Sequence, residues 1–461
     1  MCDGLLTDAR AHGVVGRLFP IGAPILRAAV GSDKNRAQHD RGLRIYRWSI
    51  TAENEAAPRT PGWVPFRFFG PELKSPRLGL QRRHHPPRTF LPRELSYPIM
   101  EKRVYNFSPG PAVLPLSVLE EAQRDLLSLP GVGVSALEVG HRTKWFEGVL
   151  ERTEANLRGL LALPANYRVL FLQGGSRLQF SMAPMNLMTQ ENRTADYILT
   201  GSWSQMAIEE AHREGTARVA YSGKATNFDR LPAAGELKLD PSAAYVYYTS
   251  NETIQGVQFA DEPATGEVPL VCDASSDFLC RPLDMSRYGL LYACAQKNAG
   301  PAGVTIVIIR DDLLACSSDK LHTMLSYRQH AEQKSLLNTP PVFAVYLVML
   351  VTKWLLDEVG GLAKMHELNR RKAGLLYDTI DESGGFYVGH AQPAARSIMN
   401  VCFRLPNAEA EERFVTEAKS RDLHYLKGHR SVGGMRASIY NAMPLAGVEA
   451  LAQFMREFRR R

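Results

Sequence analysis

From Tyr105 onward, short apolar runs alternate with stretches of helical period. Tyr167–Leu172 (YRVLFL) is an apolar run of strand length, followed by Gly174-Gly175 and a helix-like run to Met188. Tyr245–Tyr248, Val268–Cys272, Leu290–Ala295 and Val304–Ile309 are rich in Val, Ile, Leu and Tyr and read as further buried strands. Leu116–Leu129, Trp145–Leu161 and Ser204–Arg213 repeat their apolar residues at helical spacing. Strands alternating with helices predict an α/β domain built on a mainly parallel sheet. Pro341–Val351 is the most apolar run, but Thr352 and Lys353 end it well short of the roughly 18 residues a membrane span needs. It predicts a buried core helix. Past about Asp357 the pattern changes, and Met399–Phe403 as strand with Val448–Phe458 as helix predict a smaller α+β C-terminal domain.

Residues 1–99 follow neither period. They are rich in Arg and Pro, a composition that buries too little apolar surface to offset chain entropy, so little order is expected there. The expected division is an extension over 1–99, an arm over 100–115 joining the small domain, a large domain over 116–357 and a small domain over 358–461. Three readings of the extension compete. A transit peptide is at odds with Asp3 and Asp8. A nucleic-acid arm would rest on Gln81-Arg82-Arg83-His84-His85 alone. A start codon placed ahead of a true start at Met100 is the reading favoured.

Charge narrows the picture. The chain carries +7 overall, but residues 1–99 hold 16 Lys and Arg against 8 Asp and Glu, which leaves the remainder near neutral at −1. A basic tail on a neutral body is not a nucleic-acid face. Hydrophobic residues at 45% and charged residues at 22% describe an ordinary globular protein. The six cysteines (2, 272, 280, 294, 316 and 402) form no CxxC pair and no regular ladder, which argues against a disulfide scaffold or zinc site and for a reducing, cytoplasmic setting. No metal site is expected.

The candidate chemistry starts at Tyr292–Gly303 (YACAQKNAGPAG), where an apolar strand delivers Lys297 to a glycine- and proline-rich turn. A lysine there can be desolvated and freed as a nucleophile toward an aldehyde, although the local pattern taken alone favours a solvated lysine. Asp273 follows the strand Val268–Cys272, where a carboxylate is costly unless a cation meets it. A protonated pyridine nitrogen is one such cation; a helix cap, suggested by Ser275 and Ser276, is the alternative use. Gly174-Gly175-Ser176-Arg177 stands at a strand-to-helix turn suited to a phosphate, and matches neither GxGxxG nor GxxxxGK. His141-Arg142 and Lys427–Arg436, the latter with three glycines and no acid, offer cations for anionic substrates.

Six segments then carry a resemblance: YNFSPGPAVLP (Tyr105–Pro115), EVGHRTK (Glu138–Lys144), NETIQGVQ (Asn251–Gln258), AQKNAGPAGVT (Ala295–Thr305), NTPP (Asn338–Pro341) and KGHRSVGGMRASIYNAMP (Lys427–Pro444). In order and spacing they resemble the phosphoserine aminotransferase family of class V, fold-type I enzymes dependent on pyridoxal 5′-phosphate. The resemblance implies a homodimer that moves an amino group between L-glutamate and 3-phosphohydroxypyruvate, giving O-phospho-L-serine, and also 4-phosphohydroxy-L-threonine in pyridoxine formation. It implies Lys297 as the Schiff-base lysine, Asp273 on the pyridine nitrogen, Trp203 stacked on the ring and Thr253 at the 3′-oxygen. Ser176, Arg177 and Gln296 would hold the cofactor phosphate, joined by Asn338 and Thr339 of the other subunit. Arg436 would take the substrate α-carboxylate, and Arg142, His429 and Arg430 its phosphate or side-chain carboxylate. The phosphate turn departs from the family's glycine-rich pattern at Ser176 and Leu178, which bears on cofactor affinity. A class V enzyme of an unphosphorylated substrate, a cysteine desulfurase using Cys316 or Cys402, or a degenerate non-enzyme are the alternatives.

Overall fold

The structure, a computed structural model, describes residues 103–461; the expectations for residues 1–99 lie outside the described residues. The chain enters through β1 (Tyr105–Asn106), α1 (Leu116–Asp125) and α2 (Lys144–Leu161). There follow β2 (Tyr167–Leu172), α3 (Gly175–Leu187), β3 (Thr194–Leu199), α4 (Ser202–Glu214) and β4 (Thr216–Ser222). Next come β5 (Val246–Thr249), β6 (Asn251–Glu252), β7 (Val257–Gln258), β8 (Leu270–Asp273), β9 (Tyr288–Cys294) and β10 (Thr305–Arg310). Helices α5 (Asp311–Ala315), α6 (Tyr327–Glu332), α7 (Val342–Trp354) and α8 (Leu362–Asp381) lead to β11 (Val388–Gly389) and β12 (Asn400–Arg404). The chain closes with α9 (Ala408–Lys419), β13 (Leu423–His424), β14 (Met435–Ser438) and α10 (Leu445–Arg459).

Seven strands form one sheet in the order β2-β10-β9-β8-β5-β3-β4. Only β10 runs against its neighbours, because the turn after Lys297 reverses the chain directly. Alternate residues of each central strand enter different cores. Val169, Phe171, Leu291, Ala293, Ile306 and Ile308 face one layer, and Leu170, Leu172, Leu290, Tyr292, Val307 and Ile309 face the other. Both faces are therefore covered, as parallel sheets require. Helices α2 and α7 pack together over the first face and α3 and α4 over the second. The Pro341–Val351 run is the buried core helix expected, α7, and among the described residues no helix is long and apolar enough to cross a membrane.

A separate core gathers Leu376, Val401, Phe403, Phe414, Ala437, Leu451 and Phe454 around the antiparallel sheet β11-β12-β14. The arm joins this part, since β1 pairs in parallel with β13. Several expected elements differ in extent by a few residues, two of them with a clear local cause or consequence. Helix α1 stops at Asp125 rather than Leu129, and the Leu129 N–H turns to the Val134 carbonyl at 2.8 Å across a loop holding Pro130, Gly131 and Gly133. The strand read as Val268–Cys272 is displaced to Leu270–Asp273, so Asp273 is its last paired residue rather than the residue after it.

Candidate active site

Five parallel strands end on one edge of the large sheet, and each delivers chemistry there. Beyond β2, Gly174 (φ +89°) and Gly175 (φ +65°) turn the chain into α3 and present Ser176 and Arg177 at its first turn. Gly174 admits no side chain, because a Cβ there would stand 2.5 Å from Leu178 Cδ2. Leu178, the departure noted in the sequence, packs back over that glycine. Beyond β3, α4 begins at Ser202 and sets Trp203 at its second position. Strand β5 ends in Thr249, β8 in Asp273, and β9 in Cys294, three residues before Lys297. Carboxyl ends of adjacent parallel strands are where an open α/β sheet binds ligands.

These residues line one cavity of about 510 Å³, with Thr253, Gln296, His429, Arg436 and the arm residues Pro109–Pro111. Asp273 is 4% exposed. One carboxylate oxygen accepts the Ser275 N–H at 2.9 Å, so Asp273 does shape the local turn, and the Ser275 hydroxyl meets that of Ser176 at 2.5 Å. Burial raises the Asp273 pKa to about 6, against the opposing pull of those hydrogen bonds and the Lys297 charge. Lys297 is half-buried, and its stem passes so close to the arm that a Cβ at Gly110 would lie 3.1 Å from its Cδ.

Arg436 is 6% exposed, yet no carboxylate among the described residues lies within ion-pair distance of it. Its guanidinium donates to the Thr253 carbonyl at 3.3 Å while its Nε has no partner. A buried guanidinium left half-satisfied is arranged for an anion that the chain does not supply. His429 stands beside it, its pKa lowered by burial and by the charges of Arg436 and Arg430.

Four expected residues do not reach the cavity of their own chain. Arg142 lines a different groove with Arg168 and Lys334. Asn338 donates to Gln173 Oε1 at 3.0 Å, and Gln173 in turn to the Thr339 carbonyl at 3.1 Å. Arg430 is exposed on the loop between β13 and β14. Glu252 was not foreseen. Fully buried, it accepts the N–H groups of Trp203 and Ser204 at 2.9 Å and the Ser204 hydroxyl at 2.7 Å, and so caps the helix that carries Trp203. Burial lifts its pKa to about 7. Its only sequence signal is its place in NETIQ, beside Thr253. Among the described residues no His, Cys, Asp or Glu group is arranged to hold a metal.

Fold and cavity together define an aminotransferase of class V: the Aminotransferase class-V family matches residues 104–451, and the chain belongs to that family. Its relatives include phosphoserine aminotransferases. The one from Rhodopirellula baltica is 52% identical over 358 residues, covering 77% of this chain and 95% of its own. The structure of phosphoserine aminotransferase from Bacillus circulans subsp. alkalophilus superposes with a TM-score of 0.76 at 50% identity, covering 78% of this chain and 99% of that one. A PLP-bound phosphoserine aminotransferase from Trichomonas vaginalis superposes with a TM-score of 0.73 at 40% identity, covering 77% and 100%.

Burial of Asp273 has a measurable consequence. A carboxyl whose pKa rises on folding holds its proton more tightly in the folded chain, so its ionisation weakens folding as pH climbs from its ordinary 3.8 to about 6. In cofactor-free protein, Asp273→Asn is expected to gain stability relative to the parent across that interval and to hold the gain above it. Denaturant melts at several pH values check this; a gap that does not widen between pH 4 and 6 contradicts the burial argument.

Proposed function

We propose that this chain transfers the amino group of L-glutamate to 3-phosphohydroxypyruvate, giving O-phospho-L-serine and 2-oxoglutarate in L-serine biosynthesis, with pyridoxal 5′-phosphate as cofactor. The observation that carries the reading is a single cavity holding Lys297, the buried Asp273 and the buried, unpaired Arg436. The residues fit the cofactor. A phosphate suits the first turn of α3, where Ser176 and Arg177 stand with free N–H groups in a cavity that Gln296 also lines. A pyridinium would relieve the desolvated Asp273 carboxylate. Trp203 and Thr253 line the wall between, suited to the ring face and the 3′-oxygen.

Pyridoxal 5′-phosphate, when bound, supplies an aldehyde carbon, C4′, that captures amines and a protonated ring that draws electrons from the substrate α-carbon. Lys297 would hold the cofactor through C4′. Once free, its amine would move a proton between the substrate α-carbon and C4′. Asp273 would keep a proton on the ring nitrogen, and Arg436 would orient the substrate through its α-carboxylate. His429 would receive the far anion, a phosphate in one half-reaction and the glutamate side chain in the other, and Arg430, which does not reach the cavity of its own chain, would join it from a second subunit. Neither Cys316 nor Cys402 lines the cavity, and Cys294, which does, is a buried strand residue ahead of Lys297 rather than one on a loop after it, so the site does not favour a desulfurase.

Arg142, Asn338 and Thr339 fit this scheme as residues given to the cavity of a second subunit in a homodimer. Support comes from a groove lined by Leu137, Val139, His141, Thr339, Pro340 and Phe343, in which Leu137 is 64% exposed. Apolar surface of this kind beside polar groups suits a subunit contact. We keep the division at 116–357 and 358–461, which assigns Lys297 to the large domain and Arg436 to the small one. A cytoplasmic location accords with five free cysteines among the described residues.

Two outcomes follow. In a coupled assay, 3-phosphohydroxypyruvate is expected to outperform its unphosphorylated analogue, and Arg430→Ala to cut that preference roughly 10- to 100-fold, the worth of one charge-assisted hydrogen bond. An unchanged preference would remove Arg430 from the phosphate site. Leu137→Glu is expected to shift the protein from dimer to monomer in sedimentation and to weaken cofactor retention with it; a fully active monomer would sink the shared site.

A further inference from the structure

Lys372 on α8 has no solvent exposure, and among the described residues no carboxylate pairs with it. Its ammonium faces four backbone carbonyls instead: Ile439 at 3.0 Å, Tyr440 at 2.8 Å, Asn441 at 3.3 Å and Met443 at 3.3 Å. Three N–H donors are thus shared among four acceptors of one short segment. One turn earlier on the same helix face, Asn369 donates to Asn441 Oδ1 at 2.9 Å and to the Cys280 carbonyl at 3.1 Å. Helix α8 therefore grips the link between β14 and α10 at two points. Burial pushes the Lys372 pKa down, to about 7. An apolar side chain of similar length would fill the space without that cost, so the ammonium is kept for what it holds.

What it holds leads to Lys297 by two routes. The Asn441 N–H donates to Asn298 Oδ1 at 2.9 Å, and Asn298 is the residue after Lys297. The Tyr440 hydroxyl donates to the Pro109 carbonyl at 2.8 Å, and the next residue of the arm, Gly110, is the one that packs on the Lys297 stem. The junction is further tied to the cavity wall, since Asn400 donates to the Tyr440 hydroxyl at 3.2 Å and accepts from Asn251 at 2.7 Å. We propose that Lys372 is a positioning residue for the transamination: through its buried amine it sets the 439–443 junction, which fixes Lys297 from its C-terminal neighbour and from the arm above it. This rests on the reading of Lys297 as the lysine that holds the cofactor.

The test uses the full-length, cofactor-loaded enzyme. Lys372→Met is expected to lower kcat roughly tenfold or more, the scale of a lost supporting contact, while KM for glutamate stays near that of the parent. The visible absorbance of the cofactor held at Lys297 should move as well. Asn298→Ala is expected to move the same band in the same direction. Combining it with Lys372→Met should cost less than the product of the two single losses, because Asn298 lies on one of the two routes that Lys372 sets. A folded Lys372→Met enzyme with parental kcat and spectrum overturns the proposal, and so do losses that multiply in full. If Lys372→Met does not fold, Asn298→Ala and Tyr440→Phe decide: a displaced band in either supports the path, and parental spectra in both overturn it. Lys297→Ala tests the underlying reading by itself. A cofactor that borohydride still fixes to the protein in Lys297→Ala refutes that reading, whatever the Lys372 variants do.

Discussion

A carboxylate buried at the end of a central strand is the constraint on which the rest of this molecule turns. Asp273 lies between Thr249 of β5 and Tyr292 of β9, almost without solvent, and burial alone would make it the wrong place for a charge. The chain meets only part of the cost, through the Ser275 N–H and the field of Lys297. The remainder calls for a cation that is not a side chain. A mainly parallel sheet covered on both faces supplies the setting, because it brings the carboxyl ends of β2, β3, β5, β8 and β9 to one edge. A glycine turn, an indole, a carboxylate and a lysine then line one cavity.

Different parts of the chain settle different questions. The strand ends bear on the reaction class, since a lysine and a carboxylate placed this way suit an aldehyde cofactor with a basic ring nitrogen. The segment from Lys427 to Arg436 bears on the substrate. Arg436 sits buried without an acid partner, and His429 beside it is held toward its neutral form by burial and by two neighbouring guanidinium charges. Both are environments that an incoming dianion would improve. The Asn251–Gln255 turn joins the two regions: Glu252 caps the Trp203 helix, the Thr253 carbonyl accepts from Arg436, and Asn251 binds Ser276 at 2.7 Å.

Much of this was legible in the chain itself. Strand-length apolar runs announced β2, β5, β8, β9 and β10, and Lys297 and Asp273 stood out as charges at the ends of such runs. Strands β3 and β4 passed unread because Thr194, Asp196, Thr216 and Arg218 interrupt their apolar period; Asp196 and Arg218 instead meet each other across the sheet edge. The helix limit at Asp125 was missed because Leu126–Leu129 continue an apolar pattern past the point where the backbone turns. Glu252 and Lys372 lay beyond sequence reasoning for another reason. A buried charge looks like any surface charge until its partners, which lie 48 and 67 or more residues away, are brought to it. Arg142, Asn338 and Thr339 were legible as chemistry but not as members of one cavity, because a sequence does not say which copy of the chain a residue serves.

The central claim is that Lys297 holds the cofactor in a cavity built around Asp273. Its most direct test is to reduce the purified, yellow enzyme with borohydride, digest it and map the modified peptide by mass spectrometry. The account predicts a pyridoxyl group on the amine of Lys297, within the peptide that contains Gln296 and Asn298. A cofactor fixed to another lysine, or a colourless protein that added pyridoxal 5′-phosphate does not restore, would contradict it.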